Sequence, residues 1–380
     1  FDRNNNLKNV IPSNLEFTVD LARIERATTY IITVPTPIDE KRLPDLNPLK
    51  QACSDVAQVI SRGDLIIVES TVYPGVTEDV CGPLIQEKSG LKQSKDFFLG
   101  YSPERINPGD DKNTLEAVVK VIAAQDDKTM DRVKKIYEPV VKAGLFAASS
   151  IQTAEASKIV ENIQRDLNVA LMNELAIIFD KMNIRTADVL EAAGTKWNFQ
   201  KFTPGLVGGH CIGVDPYYLI SKAEALGYYP ELIRAARRLN NSLADYVSQK
   251  TIDLLAISGV SVADSRIGVL GMTFKENVSD LRNSQSPVIV NELKKYGGKV
   301  FAHDPYISGS SFLESHGIDL TGWHDLRDLD AVLVIVPHDF YTRENREAIF
   351  EAIKMDGIFI DVKSAFDRTL LLGEQKYWSL

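Results

Sequence analysis

The sequence predicts an α/β protein made of two Rossmann-like, doubly wound domains, joined by a long central helix and a helical middle region. Three observations carry that expectation. Short apolar, β-rich runs alternate with helical patterns in the first third. Residues 152–183 then repeat apolar positions at helical spacing with no Pro or Gly between them. Strand patterns return, again alternating with helices, in the last third. The expected domains are 1–148, 149–258 and 259–380.

The first strand is Tyr30-Ile31-Ile32-Thr33-Val34, closed by Pro35-Thr36-Pro37, which reads as a buried parallel strand feeding a loop. Asp64 to Thr71 and Phe97 to Tyr101 repeat the pattern, with a helix near 48–61 between the first two. In a doubly wound sheet the ligand lies beyond the carboxyl ends of the strands. Thr36, Ser70-Thr71 and Ser102-Pro103-Glu104 stand at that edge. On the central helix, Ala154, Ile159, Ile163, Leu167, Ala170, Leu171 and Leu175 mark the apolar positions. A second helical region spans 229–256. The later strands are Ile267–Leu270, Lys299–Ala302, Ala331–Val336 and Ile358–Val362.

Hydrophobic residues at 44% and charged residues at 25% are ordinary for a globular chain and argue against disorder or a fibre. A net charge of −9 disfavours a nucleic-acid partner, without excluding a local basic pocket for phosphate. No apolar run approaches the ~18 residues that cross a bilayer, so no membrane partner is expected. Cys53, Cys81 and Cys211 are an odd set without metal-ligand spacing. No metal is expected, and a reducing cytoplasm is the expected compartment. A dinucleotide-binding half opens with strand, Gly-x-Gly-x-x-Gly and helix. No such segment precedes Phe1-Asp2, so an incomplete N-terminus is expected.

Pro204-Gly205-Leu206-Val207-Gly208-Gly209-His210-Cys211-Ile212-Gly213-Val214-Asp215 sets one thiol among four glycines, with a carboxylate four residues on. Such a loop lets the backbone approach a ligand and leaves the thiol available for attack. A small thiol buried in a tight turn would look the same, and spacing alone does not separate the two. Cys53 and Cys81 sit in helical patterns and read as structural, and His210 is a weaker candidate to tune the thiol. Lys158, Asn162 and Arg165 fall on one face of the central helix, where on spacing alone a solvated or ion-paired face with Glu155 and Glu161 is the better account. Ser70 to Gly75 and Tyr101 to Gly109 follow strands at the ligand edge. Phe274-Lys275-Glu276-Asn277 and Asp280-Leu281-Arg282 follow the first strand of the last domain and offer cations to phosphates.

Together these segments resemble the UDP-glucose/GDP-mannose dehydrogenase family. The ordered set is Val34-Pro35-Thr36-Pro37, Ser70 to Gly75, Ser102-Pro103-Glu104-Arg105-Ile106-Asn107-Pro108-Gly109, Glu161 to Asp166, Gly208-Gly209-His210-Cys211 and Phe274-Lys275. The form of residues 208–218 is similar to the branch that oxidises UDP-N-acetylhexosamines, UDP-N-acetylglucosamine in particular, with the galactosamine and mannosamine epimers as alternatives. A 6-phosphogluconate-type dehydrogenase shares the layout but needs no nucleophilic thiol. A non-catalytic nucleotide-sugar binding module would have no use for one either.

The resemblance implies NAD as cofactor, a UDP-sugar as substrate, a homodimer through the central helix and a role in surface polysaccharide synthesis. It implies catalytic roles for Cys211 as nucleophile, Lys158 and Asn162 as donors to developing oxyanions, Asp215 and Thr71 in proton handling, and Glu104 in thioester hydrolysis. Cofactor contacts would come from Val34, Pro35, Thr36, Ser70, Thr71 and Arg282. Substrate contacts would come from Glu104, Arg105, Ile106, Lys158, Asn162, Arg165, Phe199, Phe202, Gly205, Leu206, Gly208, Phe274 and Lys275. Lys363 stands near a position where relatives carry arginine.

Overall fold

The computed structural model describes residues 15–106, 112–210 and 212–380, which fall into two compact units. The first takes the described residues up to Thr36, then Asp45–Arg105 and Leu115–Ala156. The second takes Pro37–Pro44, the described residues between Ile106 and Thr114, and Ser157–Leu380.

In the first unit the elements are β1 (Thr29–Ile32), α1 (Asn47–Ala57), β2 (Leu65–Val68), a π-helical turn Thr77–Cys81 running into α2 (Gly82–Ser89), and β3 (Phe98–Tyr101). Then come β4 (Lys120–Ala124), α3 (Asp127–Tyr137) and β5 (Leu145–Ala147), before α4 (Ile151–Lys181) begins. The sheet order is β1-β2-β3-β4-β5. β2 reads Leu-Ile-Ile-Val because all four residues are buried, as in a strand covered on both faces. β1, β2 and β3 are parallel, as expected, but β4 runs antiparallel to β3. Among the described residues between them there is no helix, and a parallel partner would need a crossover. Cys53 and Cys81 are buried in this unit, as their helical settings suggested.

The second unit holds the rest of α4, then α5 (Thr186–Ala193), α6 (Asp215–Ala225) and α7 (Glu231–Ile257). It continues with β6 (Arg266–Leu270), α8 (Ser286–Lys295), β7 (Lys299–His303), α9 (Gly309–His316), β8 (Leu329–Val334), α10 (Arg346–Glu351), β9 (Ile353–Asp361) and β10 (Lys376–Ser379). The order β10-β9-β8-β6-β7 is parallel throughout. Its direction reverses at β6, so the carboxyl end of β6 is the topological switch point where ligands bind. The Thr273–Asn277 segment follows that end. Apolar residues of β6, β8 and β9 pack against α7 and α8 to form the core.

Candidate active site

The segment from Gly205 to Asp215 is fixed from several sides within the second unit. Asn173 of α4 clamps its start: Gly205 N donates to Asn173 Oδ1 at 2.8 Å, and Asn173 Nδ2 donates back to Gly205 O at 3.1 Å. Asn173 Nδ2 also reaches Asn240 Oδ1 at 2.9 Å, and Asn240 Nδ2 donates to Asp166 Oδ1 at 2.7 Å. Arg237 pairs with the same Asp166 oxygen at 2.6 Å and reaches Ile212 O at 3.5 Å. Gln285 Nε2 donates to Val207 O at 3.0 Å. In the middle of the loop, Gly209 N donates to Arg282 O at 3.0 Å, and Asn283 Nδ2 donates to Gly209 O at 3.2 Å.

Glycine is required here. Gly209 has φ +80, and a Cβ on Gly208 would stand 2.9 Å from both Asn283 O and Phe274 Cβ. The loop therefore lies directly on Phe274. None of Asn173, Asn240, Arg237 and Gln285 was expected from the sequence. The available signal was the spacing of Asn173, seven residues and so two turns from Asp166 on the same face of α4.

α6 begins at Asp215, so the loop delivers this carboxylate onto a helix N-terminus. Asp215 is 4% exposed, Asn162 6% and Lys158 8%. Asn162 Nδ2 donates to Asp215 Oδ2 at 2.5 Å. Burial pushes the Asp215 carboxyl up to about 6, against the opposing pull of the Lys158 charge and the Asn162 bond. Among the described residues no carboxylate lies within ion-pair distance of Lys158. A solvated or ion-paired face is thereby replaced by a buried ammonium, amide and carboxylate. Glu155 does not pair with Lys158: it accepts from Gly75 N at 2.6 Å and Thr77 N at 2.9 Å. Arg165 is exposed. Cys211 lies outside the described residues. His210 is half-buried, and burial followed by the Arg282 charge holds its pKa below the usual histidine range.

Two clefts flank the loop. One of about 330 Å³ is lined by Phe199, Phe202, Pro204 and Lys363 among others. Lys363 is ion-paired to Glu276 at 2.5 Å. Gly205 and Leu206 border the same region, with Lys363 Cε 3.4 Å from a Cβ built on Gly205 and Leu206 packed on the core. The other, about 210 Å³, is lined by His210, Val214, Arg282 and Asn283 with Pro37 and Ile38. Arg282 forms a bidentate pair with Asp280 there, its Nη2–Oδ2 distance 2.6 Å. Phe274 and Lys275 stand on a loop held by His338, which accepts from Asn277 N at Nδ1 (2.9 Å) and lies 3.0 Å from Asp304 Oδ2 at Nε2.

The remaining expected residues, Ile106 apart, belong to the first unit. Thr36 Oγ1 donates to Thr71 O, and Ser70 Oγ donates to Val34 O, both at 2.7 Å. These two hydroxyls tie the loops after β1 and β2 together at the carboxyl edge, with Pro35 exposed between them. That edge is the crevice in which such sheets hold a dinucleotide, and the residues fit an NAD there. The next loop is held to β4 by Ser102 Oγ to Val121 O (2.8 Å) and Arg105 Nη1 to Val119 O (2.8 Å), with Glu104 and Ile106 exposed.

Three domain models of one family match the chain: the NAD binding domain over residues 4–141, the central domain over 152–242 and the UDP binding domain over 268–368. These matches define an NAD-dependent nucleotide-sugar dehydrogenase. The chain belongs to the UDP-glucose/GDP-mannose dehydrogenase family. Protein CapL of Staphylococcus aureus is 47% identical, covering 99% of this chain and 88% of its own. The UDP-N-acetyl-D-glucosamine 6-dehydrogenase of Pseudomonas aeruginosa is 45% identical over 93% of this chain and 84% of its own. Among solved structures, a UDP-D-ManNAc dehydrogenase from Pyrococcus horikoshii superposes with a TM-score of 0.85 at 29% identity, covering 95% of this chain and 83% of that one. Among the described residues no helix is long and apolar enough to cross a membrane.

Proposed function

We propose that the chain oxidises the C6 alcohol of UDP-N-acetylglucosamine to the carboxylate, a four-electron reaction in which Cys211 holds the intermediate. The buried Lys158–Asn162–Asp215 cluster at the end of the glycine-rich loop is the observation that carries this reading. The naming of relatives at 45% identity favours the glucosamine sugar. UDP-N-acetylmannosamine is the alternative, since relatives at about 30% identity and the Pyrococcus structure are named for that epimer.

NAD, where bound, supplies the acceptor for two electrons as hydride at each of the two oxidations. Val34, Pro35, Thr36, Ser70 and Thr71 would hold it on the first unit, and Arg282 is proposed to add a contact. Asp215, ionised above about pH 6, accepts the proton of the C6 hydroxyl. The Cys211 thiolate then adds to the aldehyde carbon, forming a C–S bond and a tetrahedral oxyanion that is protonated to the thiohemiacetal. This keeps the aldehyde from escaping and leaves a C–H bond from which a second hydride can depart, giving the thioester. Lys158 and Asn162 are preorganised, desolvated donors for the charge on that oxygen. Water then cleaves the C–S bond with Glu104 as the assisting carboxylate, releasing the uronate and the Cys211 thiol. Phe199, Phe202, Gly205, Leu206, Gly208, Phe274 and Lys275 are proposed to bind the nucleotide sugar, with Arg105, Ile106 and Arg165 as further contacts.

The same reading makes the protein a homodimer through α4 and a supplier of acidic sugar for surface polysaccharide. It is tested with limiting UDP-N-acetylglucosamine and excess NAD, counting NADH per sugar. Two NADH are expected. One would reduce the enzyme to a two-electron oxidation, and none with this sugar but two with UDP-N-acetylmannosamine would move the substrate to that epimer.

A further inference from the structure

We propose that the second unit carries a separate site for a diphosphate-bearing nucleotide, in the cleft between the 37–44 loop and helices α6 and α7. The cleft has a volume of about 640 Å³ and shares none of its lining with the Phe199–Lys363 cleft.

One wall is a tight turn. Asp39 N donates to Leu43 O at 2.9 Å, and the Asp39 side chain accepts from Lys41 N at 2.9 Å and Leu43 N at 2.8 Å. Arg42 takes the left-handed conformation this requires, φ 62, and its guanidinium lies 5.6 Å from the Tyr217 ring centre. The turn thus fixes the backbone of two adjacent cations at the rim. The opposite wall is α7. Its Arg234 is neutralised by Glu224 at 2.5 Å, leaving Arg238 and Asp245. Among the described residues no carboxylate is within ion-pair distance of Lys41, Arg42 or Arg238, so three uncompensated cations face one acid around a single cleft. Cations gathered around one cleft raise the local concentration of anions there.

The floor adds an independent observation. Arg237 is 3% exposed; its terminal nitrogens bond Asp166, Ile212 O and Asn241 Oδ1, while its Nε finds no acceptor among the described residues. A buried guanidinium with an unused donor at the base of a basic cleft is a group whose hydrogen bonding an anion can complete. The volume exceeds what a bare phosphate fills, and the Ser221 and Ser242 hydroxyls line the space left for the rest of a nucleotide. Because Arg237 also holds the residue after Cys211, occupancy of this cleft bears on the placement of the cysteine loop.

Calorimetric titration of the full-length enzyme with UDP tests the site, with the R42E/R238E double variant beside it. Both substituted residues are exposed and lie outside the proposed catalytic and sugar-binding groups. The expected result is two UDP per wild-type chain and one in the variant, the retained one displaced by UDP-N-acetylglucosamine, with kcat within about twofold of wild type. A single UDP per wild-type chain, or a second UDP that survives both substitutions, overturns the site while leaving the dehydrogenase reading intact. Absence of UDP binding together with absence of turnover would overturn both. Should the double variant not fold, R238Q alone is expected to weaken the second site about tenfold, and unchanged affinity there overturns the proposal equally.

Discussion

Burial draws the Asp215 carboxyl up to about 6 from an ordinary 3.8. Below that pH it carries a proton and cannot take one from substrate. The kcat profile should therefore fall on its acid side about tenfold per pH unit below roughly 6. Replacing Asp215 by Asn should abolish that limb along with most of the activity. The same shift has a stability consequence. A carboxyl whose folded pKa is raised binds protons more tightly when folded, so its contribution is fully favourable below the unfolded value and is lost as pH rises through about 6. Asp215→Asn should then be as stable as wild type near pH 4 and more stable at pH 7, by up to about 3 kcal/mol. Denaturant midpoints at the two pH values decide it; no gain at pH 7 would mean the carboxylate is not held at a cost. Cys211 makes a second prediction at this scale. Cys211→Ala should leave UDP-sugar binding within a few-fold and remove acid formation, measured by titration and product analysis. Normal turnover in that variant would refute covalent catalysis.

At the scale of elements, the clamp of α4 and α7 on the cysteine loop is the arrangement most open to test. Asn173→Leu keeps the volume of the side chain but strands Gly205 N–H and C=O, each worth ~1–3 kcal/mol when buried without a partner. A loop displaced by an ångström should lose about a hundredfold in kcat/KM, while the NAD dissociation constant changes far less. A loss confined to NAD affinity would show that the clamp does not act on the loop. This clamp also marks where the sequence stopped being legible. Leu65–Val68 could be read as a strand because a strand covered on both faces is one continuous apolar run, and α4 because its apolar positions recur without a break. Asn173 gives no such period: its partner is a backbone group 32 residues away, and a polar residue in a core position advertises only its oddness. β10 was missed for a related reason, since Trp378 is its single buried residue. The proposed catalytic side chains were named by resemblance to a family. Spacing alone could not choose between an ion-paired face and the buried Lys158 that the fold places beside Asp215.

For the whole molecule, α4 carries an unexplained exposure. Val160 is 57% exposed, Leu171 49% and Ile178 45%. The steps between them, eleven and then seven residues, are close to whole numbers of helical turns, so the three form one stripe along the helix. An apolar stripe on the outside of a long helix is the expected seam of a helix–helix contact, and a second copy of the same chain supplies a matching stripe by two-fold symmetry. In such an isologous contact each substitution enters the interface twice. Leu171→Glu therefore places two buried carboxylates in the seam, either of which would have to be desolvated without a partner. Sedimentation of the wild type should give a dimer and of Leu171→Glu a monomer at micromolar concentration, with the thermal midpoint lower and concentration-dependent only in the wild type. A variant that stays dimeric would move the interface away from α4 and leave the stripe to some other partner.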